Sequence, residues 1–190
     1  MAAKSSFANM VICLTLVCLV CAAVLGSIYS VTKDPIEATR AAQDKAAIAK
    51  VLPEGGEIAA PVAVGNGGVT EYSVQTAADS TVLAYAVKTV AAGFGGNLVL
   101  MVGVQPDGTV YNTAVLEHSE TPGLGAKCTE ENSHFREQWK GFKGVLAVTK
   151  DKGDVDAITA STITSRAYTQ AVKQAVDFVR SLAAAPSSNQ

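Results

Sequence analysis

The sequence predicts one N-terminal membrane-spanning helix followed by an α+β domain, a mostly antiparallel sheet with packed helices. Three observations carry this expectation. Residues Ser5 to Thr32 contain no Asp, Glu, Lys, Arg or His. Several β-like runs divided by turn signals occupy residues 69–116. The stretch Thr164 to Leu182 puts Ala167, Ala171, Ala175, Phe178 and Leu182 on one helical face.

A helix through the uncharged run is about 42 Å long, enough to cross roughly 30 Å of hydrocarbon. Its apolar core, Val11 to Ile28, exceeds the roughly 7–15 residues of a cleavable signal. Ala22-Ala23-Val24 and Val24-Leu25-Gly26 match a cleavage site weakly, so the segment is read as a retained anchor. The boundaries that follow are 1–6 for a short tail, 7–32 for the anchor, 33–55 for a stalk helix and linker, and 56–190 for the domain. Lysines flank the anchor on both sides, and charge alone leaves its orientation open. Cys18 and Cys21 share a helix face, where cysteine acts as a small hydrophobe; Cys128 gets the same reading.

Pro35 suits a first helical turn, the helix formers from Glu37 to Leu52 continue it, and Pro53 stops it. Gly55 to Gly68 reads as a loop with one short strand. Strands are expected at Val69–Val74, at Thr81–Ala91 with Val82, Ala84, Ala86 and Lys88 alternating, and at Asn97–Val104. Pro106-Asp107-Gly108 is a turn, so Thr109–Leu116 closes a hairpin over residues 97–116. A short helix at Ser133–Trp139 and a strand at Val145–Thr149 precede the last helix, and Ala183–Gln190 reads as a frayed tail. The helices are expected on one face of the sheet.

Composition excludes several functions. The 190 residues carry 15 Lys+Arg against 17 Asp+Glu, a net charge of −2, with no positive field to collect nucleic acid. Four cysteines and two histidines lack zinc or disulfide spacing, and no metal site is expected. His118 and His134 make no Ser-His-Asp set, so no catalytic acid, base or nucleophile is expected. His134 and Trp139 read as structural.

The informative segment is Asp156-Ala-Ile-Thr-Ala-Ser-Thr-Ile-Thr-Ser165, where hydroxyl residues crowd the start of the last helix. A helix start offers free N–H groups and a partial positive charge, which favour a phosphate. Hydroxyls there also serve as caps. No glycine-rich cradle accompanies them, so the residues alone favour capping and leave an anion site open.

This segment resembles the flavinylation motif of the FMN-binding domain family, Asp-x-[Ser/Thr]-Gly-Ala-Thr followed by a hydroxyl pair. Asp156 matches the acid, Ala160 stands for Gly, Ser161 for Ala, and Thr162 falls on the threonine esterified to FMN phosphate. His118-Ser-Glu-Thr-Pro-Gly-Leu-Gly125 is similar to the family's His-x-Glu-Thr-Pro-Gly-Leu-Gly loop, and Gly93-Phe-Gly-Gly96 to its Gly-Tyr-Gly-Gly segment. The family includes the G subunit of the Rnf electron-transport complex and the C subunit of the sodium-pumping NADH:quinone reductase; the chain length is nearer to the Rnf protein.

The resemblance implies FMN held covalently through its phosphate on Thr162, with Ser161, Thr164 and Ser165 hydrogen-bonding the phosphate. It places Glu120, Thr121, Gly123, Leu124 and Gly125 against the isoalloxazine, and makes His118 either a ring neighbour or a surface histidine. It implies a subunit without independent catalytic activity in a translocase that moves electrons between ferredoxin and NAD. Single electrons would pass between a membrane iron–sulfur centre and the flavin of the complex's D subunit. Its partners would be the A, D and E membrane subunits, through them the B and C subunits of the complex, and a flavin transferase for maturation. The domain would lie on the extracytoplasmic side of the inner membrane. The alternatives are the C subunit of the quinone reductase and a membrane-tethered binding or structural domain without flavin.

Overall fold

The computed structural model describes residues 7–130 and 132–184. The expected tail at residues 1–6 and the end from residue 185 lie outside the described residues. The chain divides into two compact units, Met1–Gln43 and Asp44–Gln190.

The described residues of the first unit are helical. Helix α1 runs Phe7–Val51, its most apolar window having a mean hydropathy of 2.8, and none of that window is buried in protein. Hydroxyls along it bond back to carbonyls one turn earlier, Thr15 Oγ1 to Val11 O and Ser27 Oγ to Ala23 O, both at 2.8 Å. Such bonds satisfy a hydroxyl within the helix itself. Pro35 lies inside α1 and starts no second helix. Proline removes only one N–H donor from the ladder, and Thr39 Oγ1 bonds its carbonyl at 2.8 Å.

The second unit begins with the last turns of α1. Strands β1 (Glu57–Ile58), β2 (Val62–Asn66), β3 (Val69–Thr76), β4 (Val82–Ala92), β5 (Asn97–Val104) and β6 (Val110–Glu117) form one sheet in the order β1-β3-β4-β5-β6. Every ladder is antiparallel, and β2 shares the outer edge of β3 with β1. The expected loop at 55–68 therefore holds two strands, not one; Ala59, Ala60 and Pro61 divide a segment that pairs along the edge of β3. The β4–β5 ladder runs unbroken from Tyr85↔Val104 to Ala92↔Asn97.

A 3-10 turn at Gly125–Thr129, the short helix α2 (His134–Glu137), a 3-10 turn at Thr149–Asp151 and helix α3 (Thr162–Ala184) complete the domain. The strand expected at Val145–Thr149 is absent. Val148 makes a single parallel bridge to Val155, and the chain then coils into the 3-10 turn. Val148 is buried and Leu146 packs against the core, so these two anchor the loop. Helix α3 extends through Ala183 and Ala184, where the sequence predicts fraying.

Both faces of the sheet are covered, which corrects the expectation of helices on one face only. On one side α3 lays Ala167, Ala171, Val172, Ala175 and Val179 over Val87, Leu98, Leu100 and Val102. On the other, Ala47, Val51 and Leu52 pack on Ala84, Ala86, Met101 and Ala114. This explains why β5 is nearly all apolar: a strand buried on both faces loses the usual alternation. Gly103 is required on the α1 side, because a Cβ there would stand 1.8 Å from the Val51 carbonyl oxygen. Trp139 stacks on Tyr168 at 5.5 Å, and the Tyr168 hydroxyl donates to Thr113 Oγ1 at 2.7 Å beneath α3.

Candidate functional site

Three loops meet at the head of α3. The first is the β4–β5 tip, closed by Gly93 N–H donating to Gly96 O at 2.8 Å. The second follows β6, where Thr121 O accepts from Leu124 N at 3.2 Å and from Ala126 N at 3.1 Å. The third is the turn before α3, closed by Ser161 N–H donating to Ile158 O at 3.0 Å.

Buried Glu120 ties them together. Its Oε1 accepts from Phe94 N at 2.7 Å and Gly95 N at 3.4 Å, while Oε2 accepts from Thr164 Oγ1 at 2.7 Å. A Cβ at Gly93 would stand 2.1 Å from Glu120 Oε1, and one at Gly125 2.5 Å from Oε2. The glycines that frame the acid are therefore those that let backbone close on a carboxylate.

The turn before α3 needs an unusual backbone. Ala160 has φ of 62°, the left-handed region that ordinarily calls for Gly or Asn at the third position of such a turn. The family pattern has Gly there, so the Ala keeps the conformation at a steric cost.

The three loops enclose a cleft of about 360 Å³ lined by Phe94, Glu120, Thr121, Leu124, Gly125 and residues 160–164. Phe94, Leu124 and Ile163 are 68%, 43% and 53% exposed there, an apolar opening in an otherwise polar corner. Beside it lies a second, polar cleft of about 440 Å³ that includes His134, Thr149, Lys150 and Asp156; Ala160 and Thr162 line both. Thr162 thus stands on the ridge between them, half-buried, and accepts from Lys150 Nζ at 3.3 Å.

Seven of the nine residues expected from sequence line the first cleft: Thr162, Ser161, Thr164, Glu120, Thr121, Leu124 and Gly125. Gly123 and Ser165 do not. Gly123, with φ of 75°, makes the Thr121–Leu124 turn. Ser165 is fully buried; its hydroxyl donates to Ser161 O at 2.9 Å and accepts from Ile158 N at 2.9 Å. It fastens the turn from inside. Thr164 lines the cleft, yet its single hydroxyl proton is committed to Glu120, so it faces the cleft only as an acceptor.

His118 is exposed, and its Nδ1 accepts from the Glu120 N–H at 3.3 Å. It acts as a local brace outside the cleft lining. Asp156, the motif's acid, is exposed and pairs with His134 Nε2 at 3.2 Å. Gln138 pins its backbone, accepting from Asp156 N at 2.8 Å and donating to Asp156 O at 3.1 Å. Cys128 is buried near Glu120, and burial chiefly pushes its thiol up to about 11, with the Glu120 charge adding to it. No group of three potential metal ligands occurs among the described residues.

Sequence reasoning missed Phe94, Ile163 and Lys150 as site residues. Phe94 sits inside a glycine motif, which is a usable signal. Ile163 has none beyond its place next to Thr162, and Lys150 none at all, since it reaches the site only through the tertiary fold.

Comparison with known proteins agrees with these elements. The FMN-binding domain family model matches residues 93–177, which span all three loops. The G subunit of the proton-translocating ferredoxin:NAD(+) oxidoreductase complex of Clostridium ljungdahlii is 35% identical over 87% of this chain and 88% of that protein. The G subunit of the ion-translocating oxidoreductase complex of Erwinia tasmaniensis is 35% identical over 82% and 81%. That of Methanosarcina acetivorans is 31% identical over 94% and 97%.

Proposed function

The chain belongs to the family of G subunits of ion-translocating oxidoreductase complexes, with an FMN-binding domain, and from this we propose that it carries FMN covalently on Thr162. The complex would move electrons between ferredoxin and NAD and couple their flow to ion movement across the membrane. This protein would relay single electrons between a membrane iron–sulfur centre and the flavin of the D subunit, with the A, D and E subunits as membrane partners. Helix α1, over residues 7–32, would be its single anchor, with the domain outside the cytoplasm, where a lost cofactor could not be replaced.

One observation carries the reading: the Thr162 hydroxyl tops α3 on the rim of a cleft whose exposed side chains are Phe94, Leu124 and Ile163. The residues present fit the group. The cleft falls in the size range of small-molecule sites, apolar with few convergent polar groups. A flat ring system would cover the apolar side chains, and a phosphoester on Thr162 would sit where first-turn N–H groups have no helical partner.

FMN, when bound, supplies the redox chemistry that no side chain here provides. The protein's part is to hold and orient. Thr162, branched at Cβ and stiff about χ1, limits swing of whatever its oxygen bears. Ser161 lies at the phosphate end. Glu120 keeps the Phe94 loop against the head of α3, so the apolar wall keeps its place relative to the tether. Leu124 and Thr121 offer an apolar and a polar contact on the same wall.

Mass spectrometry of the peptide holding Thr162, from protein made in its own host, tests this. We expect the mass of FMN minus water on that peptide, a fluorescent band in a denaturing gel, and loss of both in Thr162→Ala. An unmodified wild-type peptide, or a flavin retained by Thr162→Ala, overturns the assignment.

A further inference from the structure

Thr162 Oγ1 already has a cation beside it. Lys150 Nζ donates to it at 3.3 Å from the polar cleft, on the side of Thr162 away from Phe94 and Leu124. Lys150 is not placed there by chance of a free loop. It sits in the middle of the 3-10 turn Thr149–Asp151, and the next residue, Asp151, is gripped by Arg166 of α3 through two bonds of 2.7 Å, Nε to Oδ2 and Nη2 to Oδ1. Arg166 lies one helical turn beyond Thr162. The forked pair thus fixes the spacing between the lysine's turn and the tether's helix. The other titratable groups lining this cleft, His134 and Asp156, face each other, His134 Nε2 standing 3.2 Å from Asp156 Oδ2.

Resting on the reading that Thr162 bears a flavin phosphoester, we infer that Lys150 is the counter-cation of that phosphodiester and that Asp151–Arg166 is the bracket that positions it. A diester on Thr162 would carry one negative charge, shared by the two non-bridging oxygens on the phosphorus bonded to Oγ1. The ammonium that now donates to Oγ1 stands beside the place they would take. The two clefts then have separate tasks. The polar one receives the phosphate charge, and the apolar one receives the ring, with Thr162 on the ridge between them. Arg166 stays engaged with Asp151 and so leaves the phosphate to Lys150.

The test compares amine acylation of the full chain in detergent, made with and without a flavin transferase, by peptide mass spectrometry. In the loaded protein Lys150 is expected to acylate roughly two- to fivefold more slowly, as for a partly exposed ion pair. Exposed Lys140 and Lys173 should react equally in both forms. The protection should fade at about 1 M salt, where the screening length is about 3 Å, and Asp151→Asn should weaken it at low salt. A Thr162 peptide bearing FMN together with equal Lys150 reactivity in both forms overturns this inference alone. So does protection that salt leaves unchanged, which would mean the flavin merely covers the lysine. Absence of any adduct overturns the cofactor reading and this inference with it.

Discussion

Thr164 donates to Glu120 Oε2 at 2.7 Å, joining the head of the last helix to a loop 44 residues earlier. Because Glu120 Oε1 also accepts the Phe94 N–H, one buried carboxylate spans all the walls of the cleft. The site is therefore organised around an acid that need not touch substrate at all.

Glu120→Ala should cost about 1–3 kcal/mol, since it leaves the buried Thr164 hydroxyl and the Phe94 amide without their acceptor. Glu120→Gln should cost about 1 kcal/mol, because the amide oxygen still accepts from Phe94 and the amide nitrogen can donate to Thr164 Oγ1. Urea unfolding of the full chain in detergent measures both. Equal losses in the two variants would show that the hydrogen bonds to Glu120 do not hold the loops.

Ala160→Gly should stabilise the domain by about 0.5–1 kcal/mol, the steric relief at a left-handed residue outweighing the added freedom of the unfolded chain. Ala160→Val should destabilise it, a branched side chain being least tolerant of φ near 62°. Thermal unfolding of the two variants beside wild type distinguishes strain from a relaxed turn.

Gly103→Ala should cost about 1–3 kcal/mol, the usual range for overpacking a filled interior. The added methyl would stand 1.8 Å from the Val51 carbonyl oxygen, which is backbone and cannot swing aside. Hydrogen exchange should then rise at residues 47–52 before it rises in α3. Uniform exchange across the domain would count against a local clash.

The forked bonds from Arg166 hold the Asp151 carboxyl below its ordinary value, with the charges of Arg166 and Lys150 adding to the effect. A carboxylate depressed in the folded state stabilises fully above its unfolded value, near pH 3.9, and the contribution is lost as pH falls through the folded value. Asp151→Asn should therefore flatten the acid side of the stability profile below about pH 4 and leave its neutral and alkaline sides parallel to wild type. Urea midpoints between about pH 2.5 and 7 would read this; an unchanged acid limb would mean that the pair contributes nothing.

Cys128 should resist alkylation in the folded domain at about pH 8 and react at once in denaturant. It is buried, and its thiol is pushed up to about 11 chiefly by that burial, so little thiolate exists to react. Timed labelling with iodoacetamide measures this. Rapid native labelling would show that the loop beside Glu120 opens readily.

Much of this protein was legible along the chain, because its signals are local. The uncharged run from Ser5 to Thr32 announces α1, the Pro-Asp-Gly turn at 106–108 announces the β5–β6 hairpin, and alanines one turn apart announce α3. The motif around Thr162 and the Glu120 loop pointed by resemblance to residues that line one cleft. Three hydroxyls that look equivalent in the string proved unlike: Ser165 turns inward to Ile158 and Ser161, Thr164 gives its proton to Glu120, and Thr162 stands on the ridge. Side-chain direction on a helix depends on which face its neighbours cover, and no run of letters records that.

The sequence by itself determined the long apolar helix, the sheet-forming strands β3 to β6, the last helix and the threonine at its head, since periodicity, turn chemistry and contiguous motifs act within a few residues. Tertiary structure alone decided what surrounds that threonine. Phe94 reaches the cleft because Glu120 holds its amide, Lys150 reaches Thr162 because Arg166 grips Asp151, and the second sheet face closes because Gly103 admits the end of α1. Each of these pairs residues distant in sequence, and only the folding of the whole domain meets the entropic cost of bringing them together.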